Sequence, residues 1–299
     1  GNLVRSRDSL PLIGRDRELG ELHRRLNAAV AGETQFVVIG GEPGIGKSRL
    51  LEEVETIARA RRIRVLHGRF IEQDRGFPYQ RFCEVRQEYL RAVETSTISQ
   101  EVADFSDLAT DLVALFPVLS ELNGFAEQRD VHDSLEIVAP KLDDKTAVFD
   151  VLARAITRMA GGRPLVLLLE DLHGADVSIE ALQYVVRRLG LAPVLIVGSY
   201  RSSEVDRRHA LSRMIASFHG DKYFAAISLS PLAPADHRAL IEAIVGGPSL
   251  SDATALTLHA ATEGNPFFTR ELVKSLIDSG GLAEDETGLL SMSSDMGVS

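Results

Sequence analysis

The residues best suited to chemistry stand together at Gly41-Glu42-Pro43-Gly44-Ile45-Gly46-Lys47-Ser48. Glycines at the first, fourth and sixth places permit backbone conformations that side chains hinder, so successive N–H groups can turn inward around an anion. A helix opening near Lys47 would aim the positive end of its dipole at the same anion. Lys47 adds a compact charge suited to β- and γ-phosphates, and the Ser48 hydroxyl suits a hard cation such as Mg²⁺. The spelling is G-x-x-x-x-G-K-[ST], a P-loop. The expected ligand is therefore a nucleotide with Mg²⁺, held by Gly41, Pro43, Gly44, Ile45, Gly46, Lys47, Ser48 and Arg49.

Two later sites add charge. Glu170 and Asp171 follow the apolar run Leu165-Val166-Leu167-Leu168-Leu169. A pair of acids at the end of such a run can hold Mg²⁺ and orient the attacking water. Glu170, nearer the strand, is assigned to the metal side and Asp171 to the water, with Asp176 in reserve. The alternative is a helix cap, since Asp171 to Asp176 precede an amphipathic stretch. Arg201 ends the run Val194-Leu195-Ile196-Val197-Gly198-Ser199-Tyr200. It could reach a γ-phosphate through charge-assisted bonds, or pair simply with Glu204 or Asp206.

The elements that must position these groups can be read from periodicity. Phe36-Val37-Val38-Ile39 precedes the glycine loop as a strand, and a helix follows it to about Ala60. Further strands are expected at 63–68, 165–169, 193–201 and 223–229. The continuous apolar runs at 165–169 and 194–197 fit parallel strands buried on both faces. Leu19, Leu22, Leu26 and Val30 share one face of an early helix. From spacing alone, Gly14-Arg15 before it is a turn, in preference to a segment touching base or ribose. Segments 79–95, 100–122, 144–160 and 207–218 read as helices. After Ser230-Pro231-Leu232 only helices are expected, at 234–245, 251–263 and 266–279. Asn265 reads as the N-cap of the last and Pro266 as its first residue, making a helix-joining turn.

Bulk properties narrow the class. The 299 residues are 44% hydrophobic and 25% charged, ordinary for a globular protein. A formal charge of −10 disfavours extensive nucleic-acid binding. The single cysteine, Cys83, cannot form an internal disulfide and suits a reducing cytoplasm. No apolar run approaches the roughly 18 residues a membrane helix requires. The start at Gly1 and the polar tail read as part of something longer. The eight histidines lack metal-ligand spacing.

Taken together, the motifs resemble the STAND branch of the AAA+ P-loop ATPases, especially the module of large LuxR-type regulators and of proteins fused to class III nucleotide cyclases or protein kinases. The matching stretches are Ile13-Gly14-Arg15-Asp16-Arg17-Glu18, the loop through Leu50, and Leu167-Leu168-Leu169-Glu170-Asp171-Leu172-His173-Gly174-Ala175-Asp176. They continue with Gly198-Ser199-Tyr200-Arg201 and Glu263-Gly264-Asn265-Pro266-Phe267-Phe268, so the resemblance runs from about 11 to 280. It implies that Ile13, Gly14 and Arg15 line the adenine side, that Arg201 senses the γ-phosphate, and that Pro266 packs near the base. One departure is Gly174, where the family usually has Trp; this chain has no Trp.

The expected architecture is an α/β, three-layer P-loop NTPase fold with a five-stranded parallel sheet, followed by a small all-helical domain. The expected divisions are a disordered segment 1–10, an ATPase domain 11–230 with a helical insertion at about 79–160, a helical lid 231–284 and a flexible tail 285–299. The function implied is a slowly hydrolysing, cytoplasmic ATP/ADP switch with Lys47, Glu170, Asp171 and Arg201 in catalytic roles. It would control effector domains outside this stretch, with room for nucleotide-dependent self-association. The rivals are a non-hydrolysing nucleotide-binding module and a DNA-loading ATPase.

Overall fold

The computed structural model describes residues 10–69, 145–174, 176–247, 249–284 and 288–292. The helices expected at 79–95 and 100–122 lie outside the described residues. In chain order the elements are α1 (Asp16–Val30), β1 (Gln35–Gly41), α2 (Lys47–Ala60), β2 (Arg64–Arg69), α3 (Lys145–Ala160), β3 (Leu165–Glu170), α4 (Asp176–Leu189), β4 (Val194–Arg201), α5 (Ala210–Phe218) and β5 (Phe224–Ser228). There follow α6 (Pro234–Val245), α7 (Asp252–Thr262), α8 (Pro266–Asp278), β6 (Leu282–Glu284) and β7 (Leu290–Met292). Short 3-10 turns occupy Leu172–Gly174 and Ser202–Glu204.

The chain forms two compact units, one of Glu21–Ile39 and Leu51–Ile227, the other of the described residues of Gly1–Gly20, Gly40–Leu50 and Ser228–Ser299. The first is built on a parallel sheet of order β2-β3-β4-β1-β5, with helices flanking it in the three-layer P-loop arrangement. In register, Leu167 lies between Leu66 and Ile196. Residues 165–169 of β3 and 194–199 of β4 are all buried. Each buried Val, Leu or Ile side chain contributes about 1.5–3 kcal/mol. Charge is therefore excluded until the strand ends, where Glu170 is half-buried and Arg201 exposed. The edge strand β5 alternates instead, with Phe224 inward against Phe36 at 5.5 Å between ring centres. Arg25 of α1 donates to the Gln35 side chain and to the carbonyls of Lys222 and Phe224, tying helix to strands.

The second unit gathers α6, α7 and α8 around Leu232, Ile241, Ile244, Leu258 and Val273, and Leu10 joins this core. Its helices start where the sequence says they should. Ser251 accepts from Thr254 N–H and Asn265 from Phe267 N–H, while Gly246 ends α6 in the left-handed region. Helices are not all it contains. Residues 282–284 and 290–292 pair as an antiparallel ladder, so a stretch expected as tail supplies a strand with Leu290 buried. Three residues carry too little alternation to betray a strand.

Candidate functional site

The glycine loop belongs to the second unit and joins the end of β1 to the start of α2. Gly44 and Gly46 have φ of 78° and 109°, a region side chains rarely enter. Gly41 is needed for another reason: a Cβ there would lie 2.7 Å from Ile45 Cγ2. Lys47, the first residue of α2, donates from Nζ to the carbonyls of Gly41 at 2.7 Å and Glu42 at 2.9 Å. This folds its charge back along the loop, beside the helix N-terminus where an anion is favoured. Ser48 follows on the first turn.

Other segments of the same unit hold the outside of the loop. Arg15 is buried, and its guanidinium donates to the carbonyls of Ile45 at 3.2 Å and Ser230 at 2.8 Å. Burial pulls its pKa down, opposed by Glu18 and Asp236, and the group stays charged. Asn265 Nδ2 donates to the Pro43 carbonyl at 3.0 Å, and Phe267 N–H to the Gly44 carbonyl at 3.3 Å. Arg49 donates to the Leu10 carbonyl at 3.1 Å, securing the segment before α1.

These segments enclose a cavity of about 320 Å³, within the range of about 300–1,000 Å³ usual for small-ligand sites. Ile13, Arg15, Gly44 through Arg49 and Pro266 line it, so most of the expected binding residues meet at one place. Gly14, Gly41 and Pro43 stand outside the lining. Gly14 packs on Asp236, where a Cβ would come within 2.8 Å of the carboxylate side chain. The lining also includes the aliphatic side chains of Leu12, Leu232, Leu240 and Ile244 beside the polar loop residues, so apolar and anion-binding chemistry share one cavity. Sequence reasoning missed Asn265, Phe267 and Arg270 as members of this site. The capping signal at Asn265 was visible, but its second bond spans 222 positions.

The acids belong to the other unit. Glu170 ends β3, and Asp171 takes φ of 58° directly after it, an uncommon conformation that Asp tolerates better than most residues. His173 Nε2 lies 3.2 Å from Glu204 Oε2 and 4.0 Å from Asp171 Oδ1. Arg201 pairs with Glu204 at 2.8 Å, which raises the arginine pKa, so the simple ion pair read as an alternative is present. Asp176 opens α4, and its side chain lies outside the described ones. Among the described residues no group of three His, Cys, Asp or Glu side chains gathers as a protein-made metal cage. The Ser48 hydroxyl in one unit and the Glu170 and Asp171 carboxylates in the other are each hard oxygen donors of the kind Mg²⁺ takes, alongside water and phosphate oxygens. No described helix is long and apolar enough to cross a membrane.

A family model described as the AAA ATPase domain matches residues 11–197. The uncharacterized protein R02095 of Rhizobium meliloti (strain 1021) is 26% identical over 277 residues, covering 88% of this chain and 25% of that protein. The chain thus spans about a quarter of the length of the curated relative it matches. Solved structures give loose likenesses at low identity. A Rhizobiales Trip13 has a TM-score of 0.45 and 15% identity over 93% of this chain and 86% of that one. A Drosophila ORC bound to DNA has 0.49 and 12% over 93% and 60%. The replication initiator DnaA, bound to AMPPCP and single-stranded DNA, has 0.48 and 15% over 91% and 64%.

Proposed function

This chain belongs to the AAA ATPase domain family, and on that premise we propose that it is a STAND-type switch that binds ATP and ADP and hydrolyses ATP slowly. One observation carries the reading. The phosphate loop, the segment Leu12-Ile13 and the start of α8 line a single cavity, so a nucleotide bound there would touch both the loop and the helical bundle. A ligand shifts a conformational equilibrium only through interactions that differ between the states, and the γ-phosphate is the group that distinguishes ATP from ADP.

In this reading the loop N–H groups and Lys47 bind the phosphates, while the aliphatic side chains and Pro266 take the base. Ser48, with Glu170 on the metal side, would hold Mg²⁺, whose contribution is to neutralise phosphate charge. Asp171 accepts the proton of the attacking water, and its uncommon φ supports a functional role. Arg201 answers to the γ-phosphate by exchanging Glu204 for it. The effector region lies outside this stretch, as the greater length of the Rhizobium meliloti relative supports.

The test is phosphate release by the purified protein with ATP and Mg²⁺, together with scattering profiles in ADP and in a non-hydrolysable ATP analogue. Slow release and two distinguishable profiles are expected. Release absent while ATP binds would favour the non-hydrolysing module, and identical profiles would remove the switch.

A further inference from the structure

The outward carbonyls of the phosphate loop are held by donors from elsewhere in the same unit, and the consequence falls on the opposite edge of each peptide. A trans peptide is planar, with its C=O and N–H pointing in opposite directions, and the described chain has no cis peptide bond. Fixing the Pro43 carbonyl outward therefore fixes the Gly44 N–H the other way. Fixing the Ile45 carbonyl does the same for the Gly46 N–H. Asn265 Nδ2 holds the first at 3.0 Å and the buried Arg15 the second at 3.2 Å. Both glycines line the cavity and carry positive φ, so without those donors their peptide planes would have an unusually wide choice of orientation.

We infer that Asn265 is a positioning residue for the phosphate site, aiming the Gly44 N–H at the ligand by holding the Pro43 carbonyl from behind. This deepens the nucleotide reading and rests on it. Asn265 is itself anchored. Its carbonyl accepts from the N–H of Thr269 at 2.9 Å and from its Oγ1 at 2.8 Å. Thr269 Oγ1 is bonded in turn to Thr262 and His237 in the buried centre of the bundle. Asn265 also caps α8 through Oδ1, which accepts from Phe267 N–H at 3.1 Å. The two ends of one amide thus serve different tasks, and substitution can separate them. Close packing prevents a drift of this contact: a Cβ on Gly44 would meet Asn265 Oδ1 at 2.9 Å and Phe267 Cβ at 2.7 Å.

The experiment compares the full chain with its Asn265→Asp and Asn265→Ser variants. Each keeps an oxygen able to cap α8, and neither keeps an amide donor for Pro43. The Ser variant is neutral and separates loss of the donor from added charge. Affinities for ADP and for adenosine are measured, along with the melting midpoint without nucleotide. Loss of one ordinary hydrogen bond's worth of orientation should weaken ADP by roughly three- to tenfold in both variants. Adenosine affinity and the midpoint should be unchanged. Unchanged ADP affinity, or equal weakening of ADP and adenosine, overturns the inference. Unfolding of both variants overturns it too, since Asn265 would then act through its helix. If the wild type binds no ADP, the nucleotide reading fails first and takes the inference with it.

Discussion

Arg201→Ala gives the sharpest trial of the switch. A charge-assisted contact to a γ-phosphate is worth about 1.5–3 kcal/mol, but Arg201 is already paired. It bonds Glu204 at 2.8 Å, with the two side chains 45% and 42% exposed. Pairs so open to water are screened and contribute about 0.5 kcal/mol. Exchanging Glu204 for the phosphate therefore leaves about 1–2.5 kcal/mol, or roughly a five- to seventyfold preference for ATP over ADP. The alanine variant should lose that preference, measured by calorimetric titration with ADP and a non-hydrolysable ATP analogue in Mg²⁺. Glu204→Ala should change it in the opposite direction, by about twofold, because the competing partner is gone. Equal weakening of both nucleotides by Arg201→Ala, or no effect on either, would refute the reasoning and leave Arg201 as half of a surface ion pair.

Other outcomes follow from the same geometry. Lys47→Ala should weaken ATP much more than AMP in calorimetry, because its ammonium serves the phosphates that AMP lacks. Glu170→Gln and Asp171→Asn should each suppress phosphate release while sparing nucleotide affinity; wild-type release by both would assign the acids to capping. His237 is wholly buried against Thr262, Thr269 and His259, and burial pushes its pKa down to about 4. In the unfolded chain it titrates near about 6.5. Between these values the unfolded state takes up a proton that the folded state refuses, so stability is full above about 6.5 and falls with pH through the window to about 4. Denaturant unfolding at pH 5 should show about 2 kcal/mol less stability from this group than at pH 7.5, a difference absent in His237→Gln.

Much of the architecture was legible because strong periodic signals coincide with burial. The runs 165–169 and 194–197 are buried as parallel strands, and Pro234, Ser251 and Pro266 mark helix starts within a residue or two. The loop was legible because its chemistry requires glycine, lysine and a hydroxyl in fixed order. What stayed hidden depends on partners far along the chain. Nothing near Asn265 announces a bond to Pro43, and nothing near Arg15 announces its bonds to the carbonyls of Ile45 and Ser230. Gly41 was assigned to loop flexibility, whereas its own requirement is room beside Ile45. The strand at Leu290–Met292 was missed because its pairing, with 282–284, is its only signature.

The bond between Asn265 and Pro43 also sets a timetable. The two residues are 222 positions apart, and at about 5–20 residues per second a ribosome needs about 10–45 s to pass from one to the other. Through that interval the nascent chain already holds the whole glycine loop, but not the amide that steadies it. Strands β1 to β5 are complete before α8 is made, so the sheet can form early while the ligand cavity waits for the last helices. Such long-range closure is slow by nature. A nucleotide bound during synthesis would favour the completed cavity by mass action, and would then act as a late folding partner.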